Sequence, residues 1–362
     1  MRSIFSGLFA KTNSVIGIDV GSASIKVIQL KKKGGKAVLE TYGEIALGPY
    51  AGLVVGQATN LPGDKIREAL ADLMREANVT TTDGGFSVPL TSSLIMLMDM
   101  PAASEHQLAE MVPIEARKYI PVPISEVMLD WSVIPEDESQ AAPAGAASAK
   151  RIRILLAAIH SSIISSYQDL ATQASLTISF LEIEIFSTIR ALLRRERAPV
   201  LIVDVGAGST KIAVVENGIA VSTHVIGRGS QDMTTAISRS QSISILKAEE
   251  LKRAVGLTGD AEHKDVMDTI ELVSRSIFSE ANKMLFAYEK RSGKTVSKVI
   301  LSGGGTLLRG FVDFARKHFD AEVILADPFS QIEAPAFLEP VLKEIGPTFA
   351  VAAGIALRRL HE

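Results

Sequence analysis

Two stretches of this chain carry one pattern at one spacing, and they restrict the fold more than any other feature. Asp19-Val-Gly-Ser-Ala-Ser-Ile-Lys26 and Asp204-Val-Gly-Ala-Gly-Ser-Thr-Lys211 both read D-V-G-x-x-x-x-K. Each lies between apolar runs, at 15–18 and 27–30 for the first and at 200–203 and 212–215 for the second. Each then reaches a glycine turn, Gly34-Gly35 or Asn217-Gly218. Apolar runs bounded by small turn residues predict strand, tight turn, strand. A single copy would be an ordinary hairpin with a D-x-G turn. Two copies with equal spacing and equal flanks point to a repeated lobe with a shared task.

The residue types in these turns suit phosphate. Gly21, Gly206 and Gly208 leave no Cβ between the backbone and a ligand. Successive N–H groups in such a turn form a nest for anionic oxygens. Ser22, Ser24, Ser209 and Thr210 add hydroxyl donors, and Lys26 adds a point charge. Asp19 and Asp204, facing each other across a cleft, would suit Mg²⁺ held through water, because that ion keeps much of its hydration shell. A third loop, Gly303-Gly304-Gly305-Thr306, follows the apolar run 299–301 and precedes a helical pattern at Leu307, Leu308, Phe311, Phe314 and Ala315. A strand-to-helix turn of this kind accommodates phosphate or adenine.

Two phosphate hairpins, a late glycine loop and a small-residue closing helix at 347–358 resemble the actin, Hsp70 and sugar-kinase superfamily of ATPases. Within it, Glu115-Ala-Arg-Lys-Tyr-Ile-Pro-Val-Pro-Ile-Ser-Glu-Val-Met-Leu-Asp-Trp131 is similar to a segment of the PilM family of type IV pilus assembly proteins. The opening Ile16-Gly-Ile-Asp-Val-Gly-Ser22 is similar too.

The resemblance implies an α/β, actin-like ATPase fold: two ribonuclease-H-like lobes with a small α/β subdomain inserted where FtsA carries one. The first lobe would be 1–90, 161–198 and 347–362, and the insertion 91–160. The second lobe would be 199–228 and 295–346, with a helical subdomain at 229–294. The implied cofactors are ATP and Mg²⁺. Gly229 would lie near the terminal phosphate, although Arg228 interrupts the glycine pair usual there. Glu249 and Lys252 would flank the ribose and adenine, or form an ordinary surface ion pair one helical turn apart. Glu184, with Glu182 next in line, would orient the attacking water, or simply complement a helix dipole. The implied partners are the N-terminal cytoplasmic tail of PilN and, beyond it, the pilus motor ATPases. Candidate lining residues for that tail are Leu94, Met96, Met98, Ile114 and Tyr119. A methionine-rich strand serves an adaptable groove or a buried core equally well.

Pattern places the remaining elements. Residues 64–77 form an amphipathic helix, 85–90 a strand and 93–100 a very apolar strand. Ser104-Glu-His-Gln107 opens a helix with a capping box, running to about Tyr119. Strands follow at 127–134 and 151–159, separated by an acidic, then Ala/Pro/Gly-rich loop at 135–149. Helices are expected at 161–174, 184–195, 230–240 and 264–290, and strands at 176–183 and 321–325.

Composition excludes several classes. At 362 residues the chain exceeds the size at which one core usually divides. A net charge of −3 provides no field for nucleic acid or anionic lipid. The absence of cysteine removes disulfides and thiolate metal sites and suits a reducing, cytoplasmic compartment. Six histidines are scattered without metal spacing. No apolar run reaches the ~18 residues of a membrane span, so membrane contact is expected only through partners. The first 13 residues are expected to form a loose tail. An FtsA-like filament former with an ATPase cycle is the main alternative. A sugar kinase fits less well, because no cluster suggests a substrate base and sugar pocket.

Overall fold

The computed structural model describes residues 14–135, 151–194, 196–259 and 261–361. The expected tail at 1–13 and nearly all of the 135–149 loop lie outside the described residues. Strands β1 (Ser14–Val20), β2 (Ser24–Lys33) and β3 (Lys36–Ala46) lead to α1 (Gly63–Glu76) and β4 (Asp83–Val88). β5 (Ser93–Pro101), α2 (Glu105–Ala116), β6 (Val127–Ile134) and β7 (Arg151–His160) follow. The chain continues through α3 (Ser161–Gln173), β8 (Thr177–Ile183) and α4 (Glu184–Leu192). Then come β9 (Val200–Val205), β10 (Thr210–Glu216) and β11 (Ile219–Ile226), and the helices α5 (Ser230–Gln241), α6 (Ile245–Val255) and α7 (Lys264–Ser292). The last part comprises β12 (Lys298–Ser302), α8 (Phe311–Arg316), β13 (Glu322–Leu325), β14 (Ile332–Glu333), α9 (Glu339–Ile345) and α10 (Ala350–His361).

The two principal sheets repeat one topology. The first has the order β14-β3-β2-β1-β4-β8 and the second β11-β10-β9-β12-β13. In each, an antiparallel meander places its first strand centrally, and parallel strands add beside it. β9 is buried along its whole length, which is why its residues 200–203 read as an unbroken apolar run rather than an alternation. The two lobes therefore share both motif and strand order.

Between them lies a crossing of two helices. α10 packs on β1 and on α4. A Cβ on Gly17 would stand 2.1 Å from the Ala352 carbonyl oxygen, so β1 accepts α10 only with glycine there. α10 is apolar on nearly every side, with Ala352, Ala353, Ile355 and Ala356 fully buried. A helix that is hydrophobic all round belongs in a core. No single helix among the described residues is long and apolar enough to cross a membrane.

The insertion is a three-stranded antiparallel sheet, ordered β5-β7-β6, covered on one face by α2. The α2 capping box forms as expected: the Gln107 N–H donates to Ser104 Oγ at 3.3 Å, and the Ser104 N–H to Gln107 Oε1 at 3.0 Å. Alternation along β5 sends Met98 and Met100 into the α2 core, with Leu94 and Met96 packed against it. Ile95, on the opposite face, joins Leu90, Ile185 and Ile202 in a core shared with the second lobe.

Several boundaries differ from the sequence expectations. α2 ends at Ala116, and the chain continues to Tyr119 in tighter turns. The helix expected after Gly305 is broken. A short 3₁₀ turn (Gly304–Leu307) precedes α8, because Gly310 adopts φ 74° between them. The segment expected to close the second lobe at residue 346 splits. β14 pairs with β3, and Phe329, Ile332 and Leu342 enter the first-lobe core with Phe349 and Leu357. The two-residue strand was too short to carry a readable period.

Candidate functional site

The two D-V-G-x-x-x-x-K hairpins fold identically. The Gly21 N–H donates to the Ser24 carbonyl at 3.0 Å, and the Gly206 N–H to the Ser209 carbonyl at 3.0 Å. Asp19 registers with Lys26 across the first hairpin, and Asp204 with Lys211 across the second. The turns approach each other where a Cβ on Gly208 would stand 3.3 Å from Ser22 Oγ. Between them opens a cleft of about 410 Å³, lined by both turns and by Gly303, Gly304 and Gly305.

Steric need explains the third loop. Gly303 has φ 86° and ψ 160°, a region essentially reserved for glycine. A Cβ there would stand 2.3 Å from Asp204 Oδ1. A Cβ on Gly305 would stand 2.5 Å from Val205 Cγ1. The loop is tied to the segment entering α10: the Gly303 N–H and Ser302 Oγ both donate to the Pro347 carbonyl, at 2.8 and 3.0 Å.

Other residues singled out in the sequence support the cleft from behind. Thr210 is fully buried and donates its hydroxyl to the Arg228 carbonyl at 2.8 Å, so it does not face the opening. Gly229 presses under the second turn, where a Cβ would stand 2.4 Å from the Ala207 carbonyl oxygen. The first N–H groups of α5 are engaged by the same turn, Ser230 with Gly206 at 2.9 Å and Gln231 with Ala207 at 3.0 Å. The Arg228 side chain pairs with Ser276 on α7, away from the glycines.

The charged side chains form two groups. In the floor, Glu184 accepts the Leu90 N–H at 2.7 Å and lies 3.2 Å from Lys211 Nζ. Burial, then the charges of Asp204 and Asp19, push the Glu184 carboxyl above its ordinary value against the pull of Lys211. Asp204 is raised in the same way by burial and Asp19. For Lys211, burial works downward, but Glu184, Asp204 and Asp19 outweigh it and its pKa rises. Ser87 Oγ donates to Asp19 Oδ1 at 2.7 Å and orients that carboxylate. Lys26 donates to Ser24 Oγ at 2.7 Å and pairs with Glu44 at 3.2 Å.

The second group is Glu249, Lys252 and Arg253 on α6. Glu249 meets Lys252 and Arg253 at 2.7 Å each, and accepts from Thr234 at 2.6 Å. Glu249 and Lys252 are both buried and line the cleft, which overturns the reading of an ordinary surface pair. Burial works upward on Glu249, yet Lys252, Thr234 and Arg253 hold its carboxyl below the usual range. Above this group runs the loop between β3 and α1, with Gly56 against Arg253 and Glu249. From the same loop, the Ala58 N–H donates to Gln231 Oε1 at 2.8 Å and the Thr59 N–H to the Ser22 carbonyl at 2.8 Å.

Glu182 stands elsewhere. It is clamped by Arg190 at 2.6 Å through both guanidinium nitrogens, by Arg358 at 3.0 Å, and by Ser187. That network ties β8 to α4 and α10 and leaves no role in the cleft. Ser87 and Glu44 gave no sequence signal, since both sit in plain strands. Lys211 did: it closes the second copy of the motif as Lys26 closes the first.

Of the proposed peptide-groove residues, Met98 is buried, and Leu94 and Met96 pack against the insertion core. Ile114 and Tyr119 are exposed, at 63 % and 48 %.

The solved PilM–PilN type IV pilus biogenesis complex contains a chain that superimposes with a TM-score of 0.80 at 22 % identity, over 96 % of this chain and 98 % of that one. MreB5 of Spiroplasma citri bound to AMPPNP matches at 0.53 and 11 % identity, over 95 % of each chain. These likenesses establish the actin-like fold. Among curated proteins, the cell division protein FtsA of Rhizobium meliloti is 25 % identical over 178 residues, covering 43 % of this chain and 39 % of that protein. The chain thus spans about two fifths of that relative in the matched stretch. FtsA of Neisseria meningitidis is 24 % identical over 318 residues, covering 77 % of this chain and 76 % of that protein. The family described as type IV pilus assembly protein PilM matches residues 17–360, nearly the whole described chain, and the chain belongs to that family.

Proposed function

We propose that the cleft binds ATP and that the loaded chain is a cytoplasmic adaptor of the type IV pilus inner-membrane platform, recruiting the N-terminal tail of PilN. One observation carries the nucleotide reading: two identical hairpin turns open onto one cleft, with Gly303 pressed against Asp204. The cleft falls within the ~300–1,000 Å³ range of small-molecule sites. The AMPPNP held by MreB5 supports the same reading.

In this reading the N–H groups and hydroxyls of 21–24 and 206–209 hold phosphate oxygens. Gly303, Gly304 and Gly305 lie along the nucleoside, and Glu249 and Lys252 flank its ribose and base. Asp19 and Asp204 would meet a hydrated Mg²⁺, whose contribution when bound is charge neutralisation of the phosphates. Both Glu184 oxygens are engaged, one by the Leu90 N–H and one by Lys211. In this reading hydrolysis is slow at most, and the nucleotide acts chiefly as a clamp between lobes. At 100 times its dissociation constant it would add roughly 2.7 kcal/mol to the folded state.

The complex with PilN formed by a structurally similar PilM supports PilN as the partner. Ile114 on α2 and Tyr119 in the turns that follow it, both exposed, are the candidate anchors. Mg-ATP is expected to raise the melting temperature, and Asp204→Ala to abolish the rise. An unchanged melting curve at millimolar nucleotide would sink the ATP reading. Capture of a synthetic PilN tail peptide by the purified chain, with and without ATP, tests the adaptor role. The FtsA of Neisseria meningitidis, matching along three quarters of its length, favours a second reading, a filament-forming ATPase. Nucleotide-dependent sedimentation without peptide capture would select it.

A further inference from the structure

The loop between β3 and α1 is rooted in the first lobe but reaches the second. Its start is fixed: Leu47 is buried, and its N–H donates to the Ala23 carbonyl at 2.9 Å. The Leu53 N–H returns to the Gly48 carbonyl at 2.8 Å, and the Tyr50 hydroxyl donates to Asp72 on α1 at 2.7 Å. Further along, neighbouring residues hold opposite lobes. The Thr59 N–H donates to the Ser22 carbonyl of the first turn, and the Ala58 N–H crosses to Gln231 Oε1 on α5, each at 2.8 Å. Ala58 Cβ lies 3.6 Å from the place a Cβ on Gly208 would take, so the loop meets the second turn too. Gly56 lies against α6, where a Cβ would stand 3.0 Å from Arg253 Nη2 and 3.3 Å from Glu249 Oε1. Burial locates this crossing. Val55 and Gly56 line the cleft, yet Val55 is 55 % exposed, whereas Asp204 and Glu184 are buried. The loop therefore spans the rim, with the charged floor beneath it.

We propose that residues 52–59 are a strap that gates passage of the nucleotide, with the Ala58–Gln231 hydrogen bond as its latch. The inference rests on the nucleotide reading given above. Leu53 and Val55 stay exposed, so little apolar burial holds the strap down. A neutral hydrogen bond changes a population by roughly three- to tenfold, so the latch opens while the root of the loop keeps its own bonds. Gly52 and Gly56 adopt φ 70° and 87°, which gives the strap two points of backbone freedom. A gate that must lift for entry and for exit scales association and dissociation alike and leaves the equilibrium unchanged.

The test measures release of radiolabelled ATP into excess unlabelled ATP, in Mg²⁺, by rapid filtration, with the dissociation constant taken by calorimetry. Gln231→Ala removes the acceptor of the latch, and Ala58→Pro removes the donor from the other side; circular dichroism melting verifies that each folds. Release is expected to quicken at least about threefold in both variants, with the dissociation constant held within about twofold. Release quickened by less than that would overturn the gate while leaving the nucleotide site standing. Faster release with a proportionally weaker dissociation constant would also overturn it, because Gln231 would then be holding the ligand rather than the strap. No binding of ATP by the unaltered chain would overturn the site itself, and this inference with it.

Discussion

Gly354 of α10 lies so close to Ser187 of α4 that a Cβ would stand 1.9 Å from the Ser187 carbonyl oxygen. The two helices touch backbone to backbone at the crossing between the lobes, and Arg190, one turn further along α4, donates to the Gly354 carbonyl at 3.0 Å. Alanine is a better helix former than glycine by about 1 kcal/mol, so propensity alone would favour Gly354→Ala. The contact must reverse that sign. Gly354→Ala is expected to destabilise by about 1–3 kcal/mol, read as a lower midpoint in urea, and Gly354→Val by more. A stabilised alanine variant would show that the helices separate freely.

Gly303 and Gly304 are adjacent, yet their substitutions should differ. Gly303 combines a glycine-only conformation with the 2.3 Å approach to Asp204 Oδ1. Gly303→Ala is expected to cost more than the ~1–3 kcal/mol of backbone strain and to remove the ATP-induced melting shift. At Gly304 the nearest atom to a Cβ is Thr348 Cγ2 at 3.8 Å, so Gly304→Ala should stay within about 0.5 kcal/mol in unliganded protein. Thermal melting of both variants decides; equal losses would contradict the geometry.

The insertion separates packing from recognition. Met98→Ala empties a buried position between β5 and α2 and is expected to cost about 2–5 kcal/mol. Ile114→Asp changes an exposed side chain and should leave the melting temperature nearly unchanged while weakening capture of the PilN tail peptide. Full capture by the Ile114 variant would remove α2 from the docking face.

Acid titration should single out Glu249. Its carboxyl is held below the ordinary 4.5 in the folded chain by Lys252, Thr234 and Arg253, which together exceed the upward effect of burial. A lowered folded value gives stabilisation that is full above the unfolded pKa and lost as pH falls through the folded one. Glu184 and Asp204, raised on folding, contribute with the opposite sign, favouring the fold as they take up protons. Comparing the chain with Glu249→Gln cancels these shared groups. The melting temperatures should lie furthest apart at neutral pH and converge below about pH 4. A constant gap from neutral to acid would show that Glu249 carries no linked proton.

The repeated D-V-G-x-x-x-x-K motif, the glycine loop and the apolar runs around them announced both lobes and three walls of the cleft, because strand period and turn chemistry are local. The α2 capping box and the burial of α10 were legible for the same reason. What lay beyond reach was set by approach across long sequence separations. Ser87 meets Asp19 only because β4 runs beside β1, and Glu44 meets Lys26 only because β3 pairs with β2. The roles of Glu182 and Glu184, two residues apart, diverged at the β8–α4 junction, which turns one carboxylate to the arginines of α4 and α10 and the other to Lys211. Residue type and spacing named the chemistry; which charge faces which, and how deeply each is buried, was decided when the lobes closed on each other.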